Sequence, residues 1–314
     1  MGKVLDYNAV LVDRIDLTDA LTIFRVELTE EVEGQGGEGL WFVPGQYMVI
    51  GMNNEAQPEL GSVLRPMSIA SAADVRKPID FYIRYVSQPE SDNPLTHLLW
   101  KLKVGDPLFV RPKARGKFTV VDTVGESESR LHVFVSAGTG SAPFVSIVDT
   151  FHNQNPDASL SHFAILHGAS YPQDLGYREH LTSLADSHGL RYIPTVSRPN
   201  EAGDWTGTVG RVEDLFLPER LAETEQLLGL DAGKLTPANA VVWICGLQGT
   251  IGKTIERLAS RGFVPDHKRM RKAFGIADDV ADSIYFEQYD SEPVLDLEDE
   301  ALMKQLGDAI RDAD

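Results

Sequence analysis

The sequence predicts two domains of different class: an antiparallel β-barrel followed by an α/β domain with a doubly wound parallel sheet. The chain has 314 residues, a length that suits two domains. Its first 125 residues form short alternating stretches separated by turn formers, which is typical of an antiparallel barrel or sandwich. From Arg130 onward, apolar strands alternate with helical stretches, which is typical of a parallel sheet. We therefore expect domains at 1–125 and 126–289, and an acidic extension at 290–314.

The individual elements follow from hydrophobic periodicity and from Gly and Pro punctuation. In the first domain, the Glu- and Gly-rich stretch 30–39 suits a mobile hairpin loop, 94–102 suits a helix, and six stretches suit strands: 4–17, 20–28, 46–51, 64–70, 79–86 and 107–110. The second domain is predicted to contain strands at 131–136, 162–167, 191–196, 241–245 and 285–289, and helices at 142–151, 174–188 and 251–261. Apolar residues in the extension have the spacing of a short amphipathic helix.

Charge and composition exclude several functional classes. The formal net charge is −18, so no nucleic-acid partner is expected, because phosphates require a basic surface. No apolar run approaches the roughly 20 residues of a membrane span, and residues 1–7 lack the apolar segment of a signal peptide, so we expect a cytoplasmic protein without a membrane partner. Two basic clusters, 113–117 and 268–272, are either solvated surface or a docking patch for an acidic partner. A monomer without a metal site is favoured.

A first motif with chemical meaning, Arg65-Pro66-Met67-Ser68, lies on a predicted barrel strand. Strand alternation places Arg65 and Met67 on one side and Pro66 and Ser68 on the other. A flavin dinucleotide requires a guanidinium for its pyrophosphate and hydroxyl or backbone hydrogen bonds for the edge of its ring. This segment can therefore serve two parts of one flavin, although an ordinary strand with one Arg and one Ser shows the same pattern.

A second segment in the same domain contains Tyr82 and Arg84 on a strand, followed by Leu95 and Thr96 at the start of the predicted helix. The backbone N–H groups at a helix start and the helix dipole favour a bound pyrophosphate. An ordinary helix start with a proline near its first position has the same residues.

The third motif, Gly138-Thr139-Gly140-Ser141-Ala142-Pro143, follows the first buried strand of the second domain. Its glycines permit a tight turn and close approach of a ligand, and the helix that begins near Ala142 directs its N-terminus there. The pattern lacks the third glycine of the dinucleotide fingerprint. Its place at the start of a doubly wound sheet nevertheless indicates a nucleotide site.

Together these motifs resemble the ferredoxin–NADP⁺ reductase family, especially its bacterial branch, over residues 4–289. The family's flavin signature, Arg-x-Tyr-Ser, is matched by Arg65, Met67 and Ser68. Its Thr-Gly-Thr-Gly-x-Ala-Pro motif is matched by 137–143, with Ala137 in place of the first threonine. Further matching segments are His167-Gly168, Leu175-Gly176-Tyr177-Arg178, Thr195-Val196-Ser197-Arg198, Gly210-Arg211-Val212, Cys245-Gly246 and Glu287-Gln288-Tyr289. The resemblance implies FAD and NADPH as cofactors, NADH being less expected, and ferredoxin or flavodoxin as partner.

The resemblance also assigns roles to residues. It implies catalytic roles for Ser68, Cys245, Glu287 and Tyr289. FAD would be bound by Arg65, Pro66, Met67, Ser68, Tyr82, Arg84, Leu95, Thr96, Thr139 and Tyr289. NADP would be bound by Gly138, Thr139, Gly140, Ala142, Pro143, Arg198, Arg211, Cys245 and Gly246, with the two arginines on the 2′-phosphate. Tyr289 would stack on the flavin, but 25 residues follow it here, whereas this tyrosine ends plastid-type chains.

Two departures from the family pattern leave alternatives open. Met67 replaces the aromatic residue of the flavin signature, and Ser170 stands where bacterial members often have another arginine. Ser170 keeps open an NADH-dependent reductase component of an oxygenase, and both departures keep open a protein that only binds FAD. The acidic amphipathic extension keeps open an electron-transfer subunit of a larger complex. Cys245 is the only cysteine, so the chain cannot ligate its own iron–sulfur cluster, and single electrons require a separate carrier.

Overall fold

The computed structural model describes residues 4–30, 35, 39–199 and 205–313. Most of the predicted loop 30–39 and the first three residues of the chain lie outside this part. The contacts divide the chain into two units: the first comprises Met1–Glu126 and Ala142–Pro156, and the second comprises Ser127–Ser141 and Asp157–Asp314. The domain bounds proposed from the sequence, 1–125, 126–289 and 290–314, stay predictions.

The first unit contains an antiparallel sheet of six strands in the order β4-β3-β6-β1-β2-β5. The strands are β1 (Ala9–Thr18), β2 (Leu21–Leu28), β3 (Tyr47–Asn53), β4 (Ser62–Ser68), β5 (Ile79–Arg84) and β6 (Pro107–Val110). The two edge strands meet through an antiparallel bridge between Ile69 and Phe81, and the Ala70 amide donates to the Asp80 carbonyl at 2.9 Å. The sheet is thereby closed into a barrel, as the alternating pattern predicted.

Strand β1 begins later than the predicted residue 4. Near the predicted start, a side chain makes the backbone hydrogen bonds that a neighbouring strand would otherwise make. The Asn53 amide group accepts from the Leu5 N–H and donates to the Leu5 carbonyl, both at 2.9 Å. Two short helices complete the barrel chain, α1 (Leu95–Leu99) and α2 (Val120–Thr123). Leu95, Leu98 and Leu99 are buried in the barrel core, which explains why α1 lies against the sheet.

Helix α3 (Ala142–Gln154) belongs to this first unit by its contacts. The Ser146 hydroxyl donates to the Ser71 carbonyl at 2.8 Å, and the Thr150 hydroxyl accepts from the Ala73 amide at 2.8 Å. The Phe118 and Phe144 rings lie 5.8 Å apart. These contacts fix the helix to the loop that follows the Arg65–Ser68 motif.

The second unit contains a sheet of six parallel strands in the order β10-β9-β8-β7-β11-β12. They are β7 (Leu131–Ala137), β8 (Phe163–Ala169), β9 (Arg191–Val196), β10 (Thr208–Val209), β11 (Ala240–Gly246) and β12 (Ile284–Gln288). The strand order reverses between β7 and β11. In an open α/β sheet, ligands bind outside the carboxyl ends of the strands at such a reversal.

The helices of the second unit are α4 (Arg178–His188), α5 (Pro218–Leu227), α6 (Gln248–Ala259) and α7 (Lys268–Phe274). The prediction that a helix starts at 174 was wrong, because Pro172–Asp174 is a 3₁₀ turn and Tyr177 is left-handed with φ 60°. Gly189 ends α4 with φ 75°, as predicted. Neither α5 nor α7 was predicted. Helix α5 buries only Thr224 and Glu225 and has no apolar stripe in its sequence.

The acidic extension contains the predicted amphipathic helix, α8 (Glu300–Arg311). Its buried residues Met303, Leu306 and Ile310 join the core of the second unit together with Val294 and Leu295. A Cβ on Gly307 would lie 2.0 Å from the Phe274 carbonyl, so α8 lies directly against the end of α7. No helix within the described residues is long and apolar enough to cross a membrane.

Candidate functional site

The Arg65–Ser68 motif lies on β4 and pairs along its length with β3, with Arg65 opposite Ile50 and Ser68 opposite Tyr47. Arg65 is exposed, and one of its guanidinium nitrogens donates to the Leu64 carbonyl at 2.8 Å. Met67 contacts the barrel core and Ser68 is buried. The strand thus presents an accessible cation two residues from a thioether that is anchored in the core. This donor set fits a pyrophosphate beside an apolar ring.

The second predicted flavin segment is joined to this motif by the closure of the barrel. Tyr82 is buried on β5 and Arg84 is exposed at the end of the strand. Thr96 is buried and its hydroxyl accepts from the Val86 amide at 3.3 Å, which ties α1 to the end of β5. Because the Leu95 side chain is part of the barrel core, Leu95 can offer a ligand only its backbone.

The glycine turn of the second unit connects β7 to the helix that begins at Ala142, and its residues Gly138–Ser141 form a 3₁₀ turn. Gly138 has φ 57°, a conformation that other residues adopt at a cost. A Cβ on Gly138 would have no neighbour within 4 Å, so this side of the turn has room for a ligand. Ala142 and Pro143 are buried at the helix start, as a proline in the first turn permits.

Gly140 joins the turn to the end of β11. A Cβ at position 140 would lie 2.1 Å from the Cys245 carbonyl oxygen, a distance that no side chain can occupy. Gly140 does not have the positive φ that favours glycine, so the requirement for glycine here comes from the neighbouring strand. Two motifs that are about one hundred residues apart in the sequence meet at the reversal of the sheet.

A buried histidine holds the turn in place. His167, on β8, lies 3.2 Å through Nε2 from the Gly138 carbonyl and 3.3 Å through Nδ1 from the Tyr192 hydroxyl. Burial lowers the pKa of His167 to about 4, so the ring is neutral at neutral pH. A neutral ring that donates from Nε2 and accepts at Nδ1 satisfies both contacts. The Ser141 hydroxyl donates to the same Gly138 carbonyl at 3.2 Å.

The predicted catalytic residues of the second unit come together at the same edge. Cys245 pairs with Glu287 in the parallel register of β11 and β12. The Tyr289 amide donates to the Gly246 carbonyl at 3.0 Å, and the Tyr289 hydroxyl donates to the Thr139 carbonyl at 3.5 Å. Burial raises the pKa of the Cys245 thiol well above its ordinary value, and the nearby Glu287 carboxylate raises it further. A hydrogen bond with Tyr289 has the opposite, smaller effect on this pKa. Cys245 is therefore an uncharged, buried thiol and not a thiolate nucleophile.

The predicted phosphate-binding arginines lie at another part of this edge. Val196 of β9 pairs with Val209 of β10, and Arg198 and Arg211 each follow two residues later. The register thus places both arginines at the same level, just beyond the carboxyl ends of adjacent strands. Both side chains are exposed. Two guanidinium groups at one level suit a phosphate monoester.

Each arginine has modest contacts of its own. Arg198 donates to the Tyr171 hydroxyl at 3.2 Å and its guanidinium lies 5.8 Å from the Tyr171 ring. Arg211 is 3.9 Å from the Glu213 carboxylate with a side chain that is 75% exposed, a pairing that contributes little to stability. Ser170 lies at the same edge, because its carbonyl accepts from the Arg198 amide at 3.0 Å.

Sequence reasoning missed Tyr171 and Asp290 as neighbours of these residues. Tyr171 adjoins Ser170, but no periodicity or motif marks it. Asp290 accepts from the Gln248 amide at the start of α6 at 3.0 Å, although in the sequence it is one of many acidic residues in the extension. Within the part of the chain that the structure describes, no group of three or more His, Cys, Asp or Glu residues is arranged to hold a metal ion.

Comparisons with known proteins agree with this geometry. Residues 134–254 match the family described as the oxidoreductase NAD-binding domain. Ferredoxin–NADP reductase of Pseudomonas aeruginosa is 28% identical over 71% of this chain and 81% of its own length. Over most of its length the chain is similar to ferredoxin–NADP reductases. The corresponding reductase of Azotobacter vinelandii is 27% identical over 71% of this chain and 80% of its own length.

The fold of this chain is also found among solved structures. A ferredoxin–NADP⁺ reductase from Neisseria gonorrhoeae, crystallised with FAD and NADP, has a TM-score of 0.67 at 20% identity and covers 90% of this chain and 97% of its own. The predicted resemblance and the predicted fold class, a barrel followed by a doubly wound parallel sheet, are confirmed. The roles of individual site residues stay predictions.

Proposed function

We propose that this chain is an FAD- and NADP(H)-dependent oxidoreductase that transfers hydride between NADPH and flavin and exchanges single electrons with ferredoxin or flavodoxin. The observation that carries the proposal is the meeting of the Gly138–Ser141 turn with the Cys245 end of β11 at the reversal of the parallel sheet. This position is where open α/β sheets bind dinucleotides.

The residues of the first unit fit the flavin. Arg65 and the backbone amides at the start of α1 would hold the pyrophosphate, and Tyr82, Arg84 and Ser68 would contact the rest of the molecule. Met67 would offer a polarizable thioether in place of an aromatic ring. The flavin, when bound, supplies the conversion between hydride transfer and single-electron transfer.

The residues of the second unit fit the nucleotide. The Gly138–Ser141 turn would hold the pyrophosphate, and Arg198 and Arg211 would bind the 2′-phosphate. The neutral Cys245 thiol would offer an uncharged surface to the nicotinamide ring, which carries positive charge when oxidised. Glu287, half-buried beside this cysteine, would hold a proton. Tyr289 stays the predicted cover of the flavin.

A separate electron carrier is part of the proposal because the chain has only one cysteine and cannot ligate its own iron–sulfur cluster. The side chains of Lys113, Arg115 and Lys117 are exposed on the first unit and suit an acidic carrier. The other basic cluster is less available, since Arg271 pairs with Asp282 and donates to the Ala277 and Val280 carbonyls.

One specific observation favours the alternative of an NADH-dependent reductase component. Ser170 lies beside Arg198 at the phosphate-binding edge and adds no cation there. With two arginines instead of three, discrimination in favour of the 2′-phosphate is smaller. Arg198 and Arg211 nevertheless favour NADPH, since both are exposed at the same level of the sheet.

Anaerobic stopped-flow mixing of the purified yellow protein with NADPH and, separately, with NADH tests the proposal. We expect the visible flavin absorbance to bleach with NADPH, with an efficiency at least about tenfold that of NADH, the smallest effect expected of one charge-assisted hydrogen bond. Equal or better bleaching with NADH would support the oxygenase-type reductase. A protein that holds FAD but is bleached by neither nucleotide would refute the enzyme proposal for the isolated chain.

A further inference from the structure

The end of β12 is attached to the β11–α6 connection at two consecutive residues. The Tyr289 amide donates to the Gly246 carbonyl at 3.0 Å. The Asp290 carboxylate accepts from the Gln248 amide, also at 3.0 Å. Both partners, Gly246 and Gln248, lie within the three residues that directly follow Cys245. The chain is therefore attached at Tyr289 itself and at the next residue.

Asp290 makes the stronger of these two attachments for electrostatic reasons. Gln248 is the first residue of the twelve-residue helix α6, where amide groups lack intrahelical acceptors and the helix dipole favours an anion. The Gln288 side-chain amide donates to the other oxygen of the Asp290 carboxylate and to the Glu292 carbonyl. The carboxylate is thereby held by donors from both neighbouring elements.

The chain remains fixed after Asp290. Val294 and Leu295 are buried, and a Cβ on Gly252 would lie 2.3 Å from the Val294 carbonyl, so the extension passes directly over α6. Helix α8 then packs against α6 and α7. Tyr289 is therefore an internal residue between fixed points and not part of a free chain end.

Tyr289 in turn covers Cys245. Its hydroxyl contacts the Thr139 carbonyl and hydrogen-bonds to the Cys245 thiol. Cys245 has no exposed surface, whereas Tyr289 is 42% exposed. A molecule that approaches the Cys245 thiol along this contact must first displace the tyrosine.

We propose that Asp290 is a positioning residue that holds Tyr289 over Cys245 through the Gln248 amide and thereby sets how often this end of β11 is open to a nicotinamide ring. The claim about access of the nicotinamide ring rests on the proposed function. The claim that Asp290 holds Tyr289 over Cys245 does not. If only the uncovered form accepts the ring, the apparent affinity for the nucleotide is reduced by the uncovered fraction.

The single cysteine of the chain allows a direct test. In the full-length protein without nucleotide, the rate at which a disulfide reagent modifies Cys245 reports the uncovering of this residue. Replacement D290A is expected to raise that rate by about tenfold, the effect of losing one helix-end carboxylate. The KM for NADPH is expected to fall in the same variant. In D290N an acceptor for the Gln248 amide is retained, so both values should return most of the way to wild type.

A matched control is D299A, because Asp299 likewise accepts from a helix-start amide, that of Leu302 in α8, at 3.0 Å. We expect the thiol rate and the KM of D299A to match wild type even if its melting temperature falls. If D290A does not fold, Q288A removes the amide that holds the same carboxylate. This variant should then raise the thiol rate and lower the KM for NADPH in its place.

The outcomes separate this inference from the proposed function. Equal thiol rates in wild type and D290A, or an equal rise in D299A, would overturn the positioning role. A faster thiol reaction with an unchanged KM for NADPH would overturn the role in nucleotide access. If NADPH fails to react with any of the proteins, the proposed function fails, while the thiol rates still decide whether Asp290 holds the cover.

Discussion

Replacing Gly140 by alanine tests whether the glycine turn and the end of β11 act as one nucleotide-binding element. The added Cβ would lie 2.1 Å from the Cys245 carbonyl oxygen and 2.7 Å from its carbon, and both are backbone atoms that cannot rotate away. Ordinary van der Waals contact begins at 3.4 Å, so the turn and the strand must separate by about 1.3 Å. Overpacking of this kind typically costs about 1–3 kcal/mol.

We expect G140A to fold with a melting temperature lower by roughly 2–10 °C. The specificity constant for NADPH should fall about a hundredfold, because a misplacement of about 1 Å has that effect on a positioned ligand. Thermal unfolding and stopped-flow reduction measure the two effects. G249A is the matched control: its Cβ would meet nothing within 4 Å, and alanine in a helix gains about 0.4–1 kcal/mol.

G138A separates strain from contact in the same turn. Its Cβ would also meet nothing within 4 Å, but φ is 57°, so the expected cost is about 1–2 kcal/mol without displacement of β11. A G140A protein with the melting temperature and the NADPH kinetics of wild type would refute the reasoning, since it would mean that the turn and the strand are not in contact.

Four further predictions follow from the described geometry. R198A and R211A should each raise the KM for NADPH roughly ten- to a hundredfold and leave the KM for NADH unchanged, and equal losses with both nucleotides would contradict the 2′-phosphate assignment. The pKa of His167 is lowered to about 4, so its contribution to stability is present at neutral pH and is lost as pH falls from 6.5 towards 4, because the unfolded chain then binds a proton that the folded chain does not. Urea unfolding should show H167Q losing less stability than wild type between pH 7 and pH 5, by up to about 2 kcal/mol, and parallel curves would count against this cause. G307A, whose Cβ would lie 2.0 Å from the Phe274 carbonyl, should lower the free energy of unfolding by about 1–3 kcal/mol with an unchanged KM for NADPH; a changed KM would assign the extension a role in nucleotide binding. The double variant K113E/K117E should slow reduction of an acidic ferredoxin and weaken its dependence on salt without altering reduction by NADPH, and an unchanged carrier rate would move the docking surface elsewhere.

The sequence was sufficient for most of the fold because the strands show their burial in their own periodicity. Strand β9 is buried or half-buried along its whole length, and its predicted bounds, 191–196, are those observed. Elements whose stability comes from tertiary contacts could not be predicted from the sequence. Helix α5 is polar in sequence and was not predicted, and the left-handed Tyr177 shortens α4 although tyrosine rarely adopts that conformation.

In the candidate site, too, local sequence patterns predicted single residues but not the tertiary contacts between them. Single residues such as Cys245, Glu287 and Tyr289 were predicted from short motifs, but their contacts depend on the register of β11 and β12, which no local pattern specifies. Position 140 likewise has a requirement for glycine that the turn alone does not reveal, namely the close contact with the Cys245 carbonyl. The attachment of Asp290 to α6 has no local signal, because the Gln248 amide is 42 residues away in the sequence.

The assignment of α3 to the first unit has a consequence for the order in which the chain can fold. A fragment that ends at residue 126 lacks the Ser146 and Thr150 hydroxyls that satisfy the loop after the flavin motif, and it lacks the ring that packs on Phe118. During synthesis the barrel therefore cannot complete its contacts until about thirty further residues, including β7 and the glycine turn of the other unit, have left the ribosome. Each unit consists of two separate segments of the chain, so a fragment cut at one position lacks part of the packing of its unit. To express one unit by itself, its two segments must be joined by a linker.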